Sequence, residues 1–269
     1  MPLAALTIAG SDSGGGAGIQ ADLRTFAAHG LLGCTAITAV TAQNTRGVVA
    51  WEAVSPALVG AQIAAVLGDL PVSAMKTGML GTRAVITAVV EAIAAHGSTL
   101  PLVVDPVMVA TSGDRLLDAD ASATLVAELL PRATVITPNR PEAVALSGLA
   151  EAAPVEEHAE AIARMAPRAT VVIKGGHRAV GDTSARARDL VRSPDGRTWL
   201  LEAPWIETRA THGTGCTLSA AIAARLALGD TVEAALVAAR AYLTGALSHA
   251  LPMGAGHGPV DHLWQLTRR

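Results

Sequence analysis

Aromatic side chains are nearly missing from this sequence, at 2% of 269 residues, although hydrophobic residues reach 51% and the mean hydropathy is +0.40. An aromatic-filled core is thereby excluded. The interior has to be made from Ala, Val, Leu and Ile, as close-packed helices against a β-branched sheet. Cysteine is equally scarce: Cys34 and Cys216 allow at most one bridge, and neither lies in a CxxC pair. A reduced, cytoplasmic protein is expected. No apolar run approaches the about 18 residues of a membrane span. A net charge of −3 and a pI near 6.2 leave no basic stripe for nucleic acid. The N-terminus lacks a charged n-region and runs straight into a strand-like pattern, so no signal peptide is expected.

Two further absences bear on chemistry. No GxxxxGK(S/T) occurs, which excludes a P-loop. The stretch Gly16-Ala17-Gly18-Ile19-Gln20-Ala21 fits a loose dinucleotide pattern, but no acid follows at the ribose position roughly 20 residues on. Lysine is the sharpest gap, because Lys76 and Lys174 are the only lysines among 20 basic residues. Each marks a place where a compact, movable charge is preferred over a guanidinium.

What is present alternates regularly. Strand patterns at 3–9, 34–42, 72–76, 102–105, 134–137 and 170–174 are separated by helical patterns near 18–28, 56–67, 82–96, 119–130 and 156–165. This alternation predicts a mainly parallel sheet covered by helices on both faces. Residues 187–192 and 198–201 flank Ser193-Pro194-Asp195-Gly196, which predicts an antiparallel hairpin at one sheet edge. Helices near 214–228 and 231–249 follow, and no linker or repeat divides residues 1–269, which read as a single domain. Ligands of such sheets bind beyond the carboxyl ends of the strands. Polar or glycine-rich residues fall at all six: Gly10-Ser11-Asp12, Gln43-Asn44, Lys76-Thr77-Gly78-Met79, Asp105-Pro106, Asn139 and Lys174-Gly175-Gly176.

The turn His212-Gly213-Thr214-Gly215-Cys216 leads into a helix whose first N–H groups have no internal partner, an arrangement that attracts anions. A glycine-rich loop entering a capped helix is the plainer account of the same residues. Cys216, in the first turn, is expected to have a lowered thiol pKa, unless it is simply buried and inert. Asn139-Arg140-Pro141-Glu142 reads either as a helix cap with a favourable acid or as an acid offered to Mg²⁺ beside phosphates. Lys174, ending an apolar strand before glycines, suits a cation that follows a transferring phosphate. Lys76 reads as the weaker of the two, solvated or orienting a loop. The loop from Ser11 to Asp22 reads as substrate-binding, with Asp22 facing inward or merely exposed in a first helical turn.

Together these segments resemble the hydroxymethylpyrimidine/phosphomethylpyrimidine kinases of thiamine biosynthesis, within the ribokinase-like superfamily. The resemblance spans nearly the whole chain. It is carried by Leu6 to Asp12, Gly14 to Leu23, Thr41-Ala42-Gln43-Asn44-Thr45, Lys76-Thr77-Gly78-Met79-Leu80 and Val104-Asp105-Pro106-Val107-Met108. Thr137 to Ala143, Lys174-Gly175-Gly176-His177, the turn at 211–219 and Gly256-His257-Gly258-Pro259-Val260 continue it.

The resemblance implies a three-layer α/β/α fold. It implies ATP-dependent phosphorylation of 4-amino-5-hydroxymethyl-2-methylpyrimidine and then of its monophosphate, with ATP and Mg²⁺ as cofactors. Gln43 is implied to read the aminopyrimidine edge, and Gly10, Ala17, Asp22, Thr41, Met79 and Val107 to line the pocket. Asp105, Asn139 and Glu142 are implied to serve the ATP phosphates, with Asp105 and Glu142 facing Mg²⁺, partly through water. Lys174 is implied to stabilise the β/γ-phosphate charge, and Gly213, Thr214, Gly215 and Cys216 to form an anion hole. Many ribokinase-like sugar kinases have Asp where Cys216 stands, so its part as base or as neighbour stays open. Thr41 stands where an aliphatic residue also occurs in the family, which leaves that pocket wall less defined. No thiamine-phosphate synthase domain follows, so a monofunctional chain is expected, and a homodimer is expected by resemblance alone. A pyridoxal or pyridoxine kinase of the same fold is the nearest competitor, disfavoured by Gln43. A non-catalytic pyrimidine sensor is a second, and predicts a damaged phosphate site.

Overall fold

A computed structural model of the chain describes residues 3–108, 117, 120–175 and 185–266. Nine strands form one sheet: β1 (Ala4–Asp12), β2 (Leu32–Asn44), β3 (Gly47–Ala53), β4 (Val72–Thr77), β5 (Leu102–Val104), β6 (Val135–Ile136), β7 (Thr170–Ile173), β8 (Arg186–Arg192) and β9 (Thr198–Pro204). Their order is β3-β2-β1-β4-β5-β6-β7-β8-β9. The run from β2 to β7 is parallel. The expected hairpin is β8–β9, which adds to β7 antiparallel.

The opposite edge was not foreseen. β3 returns antiparallel on β2, pairing Thr41 with Trp51. Its turn is closed by the Asn44 side chain, which accepts from the Arg46 N–H at 2.8 Å, a local signal that carries no Asn-Gly or Pro-Gly signature.

Residues alternate along the central strands between two cores. Leu6, Ile8, Met75, Leu102, Val104 and Ile136 pack beneath α2 (Pro56–Asp69), α3 (Arg83–His96) and α6 (Val155–Met165). Ala5, Ala74, Val103, Val135 and Val172 pack on the other face, beneath α1 (Gly18–Ala28), α7 (Thr214–Ala227) and α8 (Val232–Ser248). α7 is buried on nearly every side, and its alanines 220, 221, 223 and 224 are fully buried. Small side chains there let the helix lie close to the sheet, so few aromatics are needed to fill the layer.

The helical pattern at 119–130 is realised differently. α4 (Ala121–Thr124) passes into a π-helical turn (Leu125–Leu129) and a 3₁₀ turn (Leu130–Arg132). Pro131, which has no N–H to donate, ends the regular ladder there. Residue 119 lies outside the described residues, as do Gly176 and His177 of the sixth strand-end segment. Among the described residues, no helix is long and apolar enough to cross a membrane.

Candidate active site

The start of α7 is built by glycine. Gly213 takes a left-handed conformation (φ 79°), and a Cβ there would stand 1.9 Å from the Gly16 carbonyl oxygen. Only glycine meets both conditions. No side chain caps the helix; Thr217 instead donates to the Gly213 carbonyl at 2.8 Å. The leading N–H groups around Gly215 and Cys216 are therefore presented to whatever lies in front of them. A Cβ on Gly215 would come within 3.1 Å of Lys174 Nζ and 3.6 Å of Asp105 Oδ2, so the lysine and the acid lie against this bare backbone.

Lys174 follows β7 and bridges to Asn139. Its Nζ lies 2.9 Å from Asp105 Oδ1 and 3.9 Å from Glu142 Oε2. Asp105 also accepts from Thr137 Oγ1 at 3.3 Å and Ser219 Oγ at 3.2 Å. Burial works to raise the Asp105 pKa, but Lys174 and Lys76 outweigh it and hold the carboxyl below its ordinary range. Burial likewise works to lower the Lys174 pKa, but Asp105 and Glu142 prevail and raise it.

Glu142 differs. Asn139 caps α5 (Arg140–Ser147) in a reciprocal box, its side chain accepting from Glu142 N at 2.8 Å while Glu142 Oε2 accepts from Asn139 N at 2.7 Å. The cap account of this segment is thus realised, with the acid turned toward Lys174. Burial raises the Glu142 pKa to about 7; Lys174 pulls it back while Asp105 adds to the rise.

One layer below, Asp22 and Lys76 are both fully buried. Lys76 Nζ donates to Asp22 Oδ1 at 3.0 Å and Oδ2 at 2.9 Å, and Thr7 Oγ1 donates to Oδ2 at 2.6 Å. Asp22, expected to face the substrate, has both oxygens engaged within the protein. Lys76, read as solvated or as a loop anchor, is instead the buried partner that requires it. Cys216 corrects a further expectation. Its thiol is not lowered by the helix start but pushed up to about 11, because burial, with Asp22 and Asp105 nearby, outweighs Lys76 and the Gly18 N–H.

On the substrate side, Asp12 organises the glycine loop. It accepts from the N–H groups of Gly14, Gly16 and Ala17 at 2.8, 3.0 and 2.8 Å, and from His212 Nε2 at 2.8 Å. Burial opposes its charge, but the His212 and backbone bonds leave its pKa lowered. The loop is thereby tied to the residue that opens the α7 turn.

Gln43 reaches the same point, its amide lying 3.3 Å from His212 Nε2 and 3.3 Å from Thr41 Oγ1. A carboxylate accepts only, so His212 Nε2 carries the proton, and Thr41 donates to the Ser11 carbonyl at 2.9 Å. Protons balance when the Gln43 oxygen faces His212 and its NH₂ faces Thr41. One N–H and one lone pair of the amide are then left for a ligand.

A small apolar cluster completes this wall: Met79 and Ala39 with Val48, Trp51 and Val107. Gly10 opens onto it, since a Cβ there would sit 3.2 Å from Met79 Sδ. The structure thus brings the candidates into two adjoining groups. Gly10, Ala17, Thr41, Gln43, Met79 and Val107 surround the loop, and Asp105, Asn139, Glu142, Lys174 and residues 213–216 surround the helix start. The sequence pointed to the segments that hold Asp12, Thr137, His212 and Ser219 but gave these four no role, and it did not single out Trp51. Ser219 lies one turn beyond Gly215 on α7.

Comparisons with known proteins bear on the chain as a whole. A family model described as phosphomethylpyrimidine kinase matches residues 12–261. The chain is 53% identical over 270 residues to the hydroxymethylpyrimidine/phosphomethylpyrimidine kinase of Rhizobium meliloti, covering 97% of each. It is similar in structure to a Bacillus subtilis pyridoxal kinase in complex with ADP, at a TM-score of 0.86 and 36% identity over 99% of both chains. It also resembles the phosphomethylpyrimidine kinase of Clostridium difficile, at a TM-score of 0.75 and 40% identity over 90% of this chain and 98% of that one.

Proposed function

The chain belongs to the phosphomethylpyrimidine kinase family, and from that premise we propose how its strand-end residues divide the work of phosphoryl transfer. The enzyme is an ATP-dependent kinase that phosphorylates 4-amino-5-hydroxymethyl-2-methylpyrimidine and then its monophosphate, in thiamine biosynthesis. The reading takes 1–269 as one kinase domain. In it, Gln43 meets the aminopyrimidine edge with its free donor and acceptor, and Gly10, Ala17, Thr41, Met79 and Val107 enclose the ring. Asp22 acts one layer lower, holding Lys76 in place.

The transferring phosphoryl group lies between the open N–H groups around Gly215 and Cys216, in the turn that Gly213 and Thr214 shape, and the ammonium of Lys174. The observation that carries this is that Lys174 Nζ and Asp105 Oδ2 stand only 3.1 and 3.6 Å from where a Cβ on Gly215 would be. A cation and an uncapped helix start converge there without a side chain between them. Fixed charge of this kind suits a loose transition state, where positioning and electrostatics supply most of the catalysis. With its thiol near 11, Cys216 holds the acceptor oxygen rather than deprotonating it.

Asn139, Asp105 and Glu142 face the nucleotide phosphates. A divalent cation fits this corner by the chemistry of its donors: Asp105 and Glu142 offer hard carboxylate oxygens on either side of Lys174. Asp105 and Glu142 would hold Mg²⁺, partly through water, and the ion would neutralise phosphate charge. Cytoplasmic placement is proposed from the two free cysteines, and a homodimer from the family resemblance.

The test is a steady-state assay with purified protein, Mg-ATP and either the hydroxymethylpyrimidine or pyridoxal. The pyrimidine is expected to give the higher kcat/KM. Lys174→Met is expected to lower kcat by about 100-fold, with the pyrimidine KM little changed. Unchanged turnover in Lys174→Met would overturn the assigned roles, and a preference for pyridoxal would overturn the reading of Gln43.

A further inference from the structure

Outside the cluster around Gly215, the structure holds one more buried charge pair that stability does not explain. Asp189, in β8, is fully buried, and Arg240 of α8 is 8% exposed. Arg240 Nη1 approaches Asp189 Oδ2 only to 3.4 Å. Neither Asp189 Oδ2 nor Arg240 Nε has a hydrogen-bond partner among the described residues. Burying two charges so loosely paired is unfavourable, and an apolar pair of similar volume would commonly be as stable or more so.

The other oxygen of Asp189 is well used. It accepts from the Gly175 N–H at 2.9 Å. β7 and β8 are in register up to Ile173 opposite Leu190. Immediately beyond, the chain presses so close to β8 that a Cβ on Gly175 would lie 1.7 Å from the Arg188 carbonyl oxygen. Asp189 therefore receives the amide directly after Lys174, where the chain leaves the ladder and Lys174 turns its ammonium to Asp105 at 2.9 Å.

We propose that Asp189, backed by Arg240, is a positioning residue for phosphoryl transfer: by holding the Gly175 N–H it sets where Lys174 presents its charge. This rests on the reading of Lys174 as the phosphate-facing cation. The pair is then kept for the direction it gives to one strand end, which accounts for its poor mutual geometry. A small misplacement of a catalytic charge is costly, since displacements near 1 Å remove up to about 100-fold in rate.

The experiment replaces the ion pair by apolar side chains, Asp189→Leu with Arg240→Met. This double variant is expected to unfold at or above the wild-type temperature, while kcat falls about tenfold or more and the pyrimidine KM stays within about twofold. Asp189→Asn keeps an acceptor for Gly175 and is expected to retain kcat within about threefold. In a Lys174→Met background the double substitution is expected to add nothing further, because it acts through that lysine.

A folded double variant with wild-type kcat would overturn the proposal. So would an Asp189→Asn that falls as far as the double variant, or a full additive loss in the Lys174→Met background. If the apolar pair does not fold, Asp189→Ala assayed at low temperature carries the same expectations for kcat and KM, though not for stability. If Lys174→Met itself keeps full turnover, the reading of Lys174 fails, and that result is distinguishable because it involves no change at 189.

Discussion

The thiol of Cys216 decides between two mechanisms, and its chemistry can be worked out from its surroundings. It lies in the first turn of α7 above the Asp22–Lys76 pair, and burial pushes its pKa from 9.0 to about 11. At about pH 7.5 the thiolate fraction falls from about 3% to about 0.03%, a hundredfold loss of the reactive form. A triphosphate brought close adds negative charge and moves the thiol further in the same direction.

Alkylation by iodoacetamide, followed by mass spectrometry of the Cys216 peptide in ligand-free protein, should therefore run about 100-fold slower than for a free thiol at that pH. The rate should still be rising at about pH 10. Turnover should not follow it: kcat should be nearly flat between about pH 7 and 9, and Cys216→Ser should stay within about tenfold of wild type. A kcat that climbs tenfold per pH unit over that range, with Cys216→Ser lower by a thousandfold or more, would refute the reasoning and make the thiolate the base.

Glu142→Gln should change the pH dependence of stability in metal-free protein. The folded pKa of Glu142 is raised from 4.5 to about 7, so its favourable neutral form is fully present below the unfolded value and is lost as pH rises through about 7. At roughly 1.4 kcal/mol per pKa unit, urea unfolding between about pH 4.5 and 8 should show the variant gaining up to about 3 kcal/mol on wild type; parallel curves would contradict this. Gly213→Ala should cost about 3 kcal/mol or more by the same measurement, because its Cβ meets the Gly16 carbonyl at 1.9 Å. Gly229→Ala, also left-handed (φ 93°) but with open space around it, should cost only about 1 kcal/mol. Lys76→Met should lose about 3–5 kcal/mol by stranding the Asp22 carboxylate, and adding Asp22→Leu should recover part of it.

The strands, their ends and the helix that follows residue 213 were legible in the sequence because each rests on local pattern. Apolar runs mark β1 and β4, and paired glycines mark the turn into α7. What stayed hidden depends on partners far away in the chain. Lys76 meets Asp22 across a separation of 54 residues, and nothing near either residue signals it. The sheet order sets β1 beside β4, so Asp22 of α1, a helix packed on β1 and β2, comes within reach of Lys76. Trp51 was lost with β3, an edge strand whose half-exposed residues show no clean alternation. Cys216 shows the limit most clearly: its place at a helix start was readable and argues for a low pKa. Its sign was reversed chiefly by burial, with Asp22 and Asp105 adding to the rise from α1 and from the end of β5.

The scarcity of lysine now divides into two separate needs. Lys76 is fully buried and spends its charge on Asp22, so its compact head fits where a guanidinium fork would need more partners than Thr7 and one carboxylate leave. Lys174 keeps 15% of its side chain exposed, between Asp105 and Glu142 and against the open backbone of Gly215. One lysine pairs with one acid in the lower layer; in the upper layer one lysine stands between two, and burial, with Asp105 nearby, raises the Glu142 pKa to about 7. A nucleotide triphosphate entering alone would deepen that excess of negative charge. On the proposed roles, the corner would favour a nucleotide that arrives with its own cation, leaving Lys174 to face phosphate.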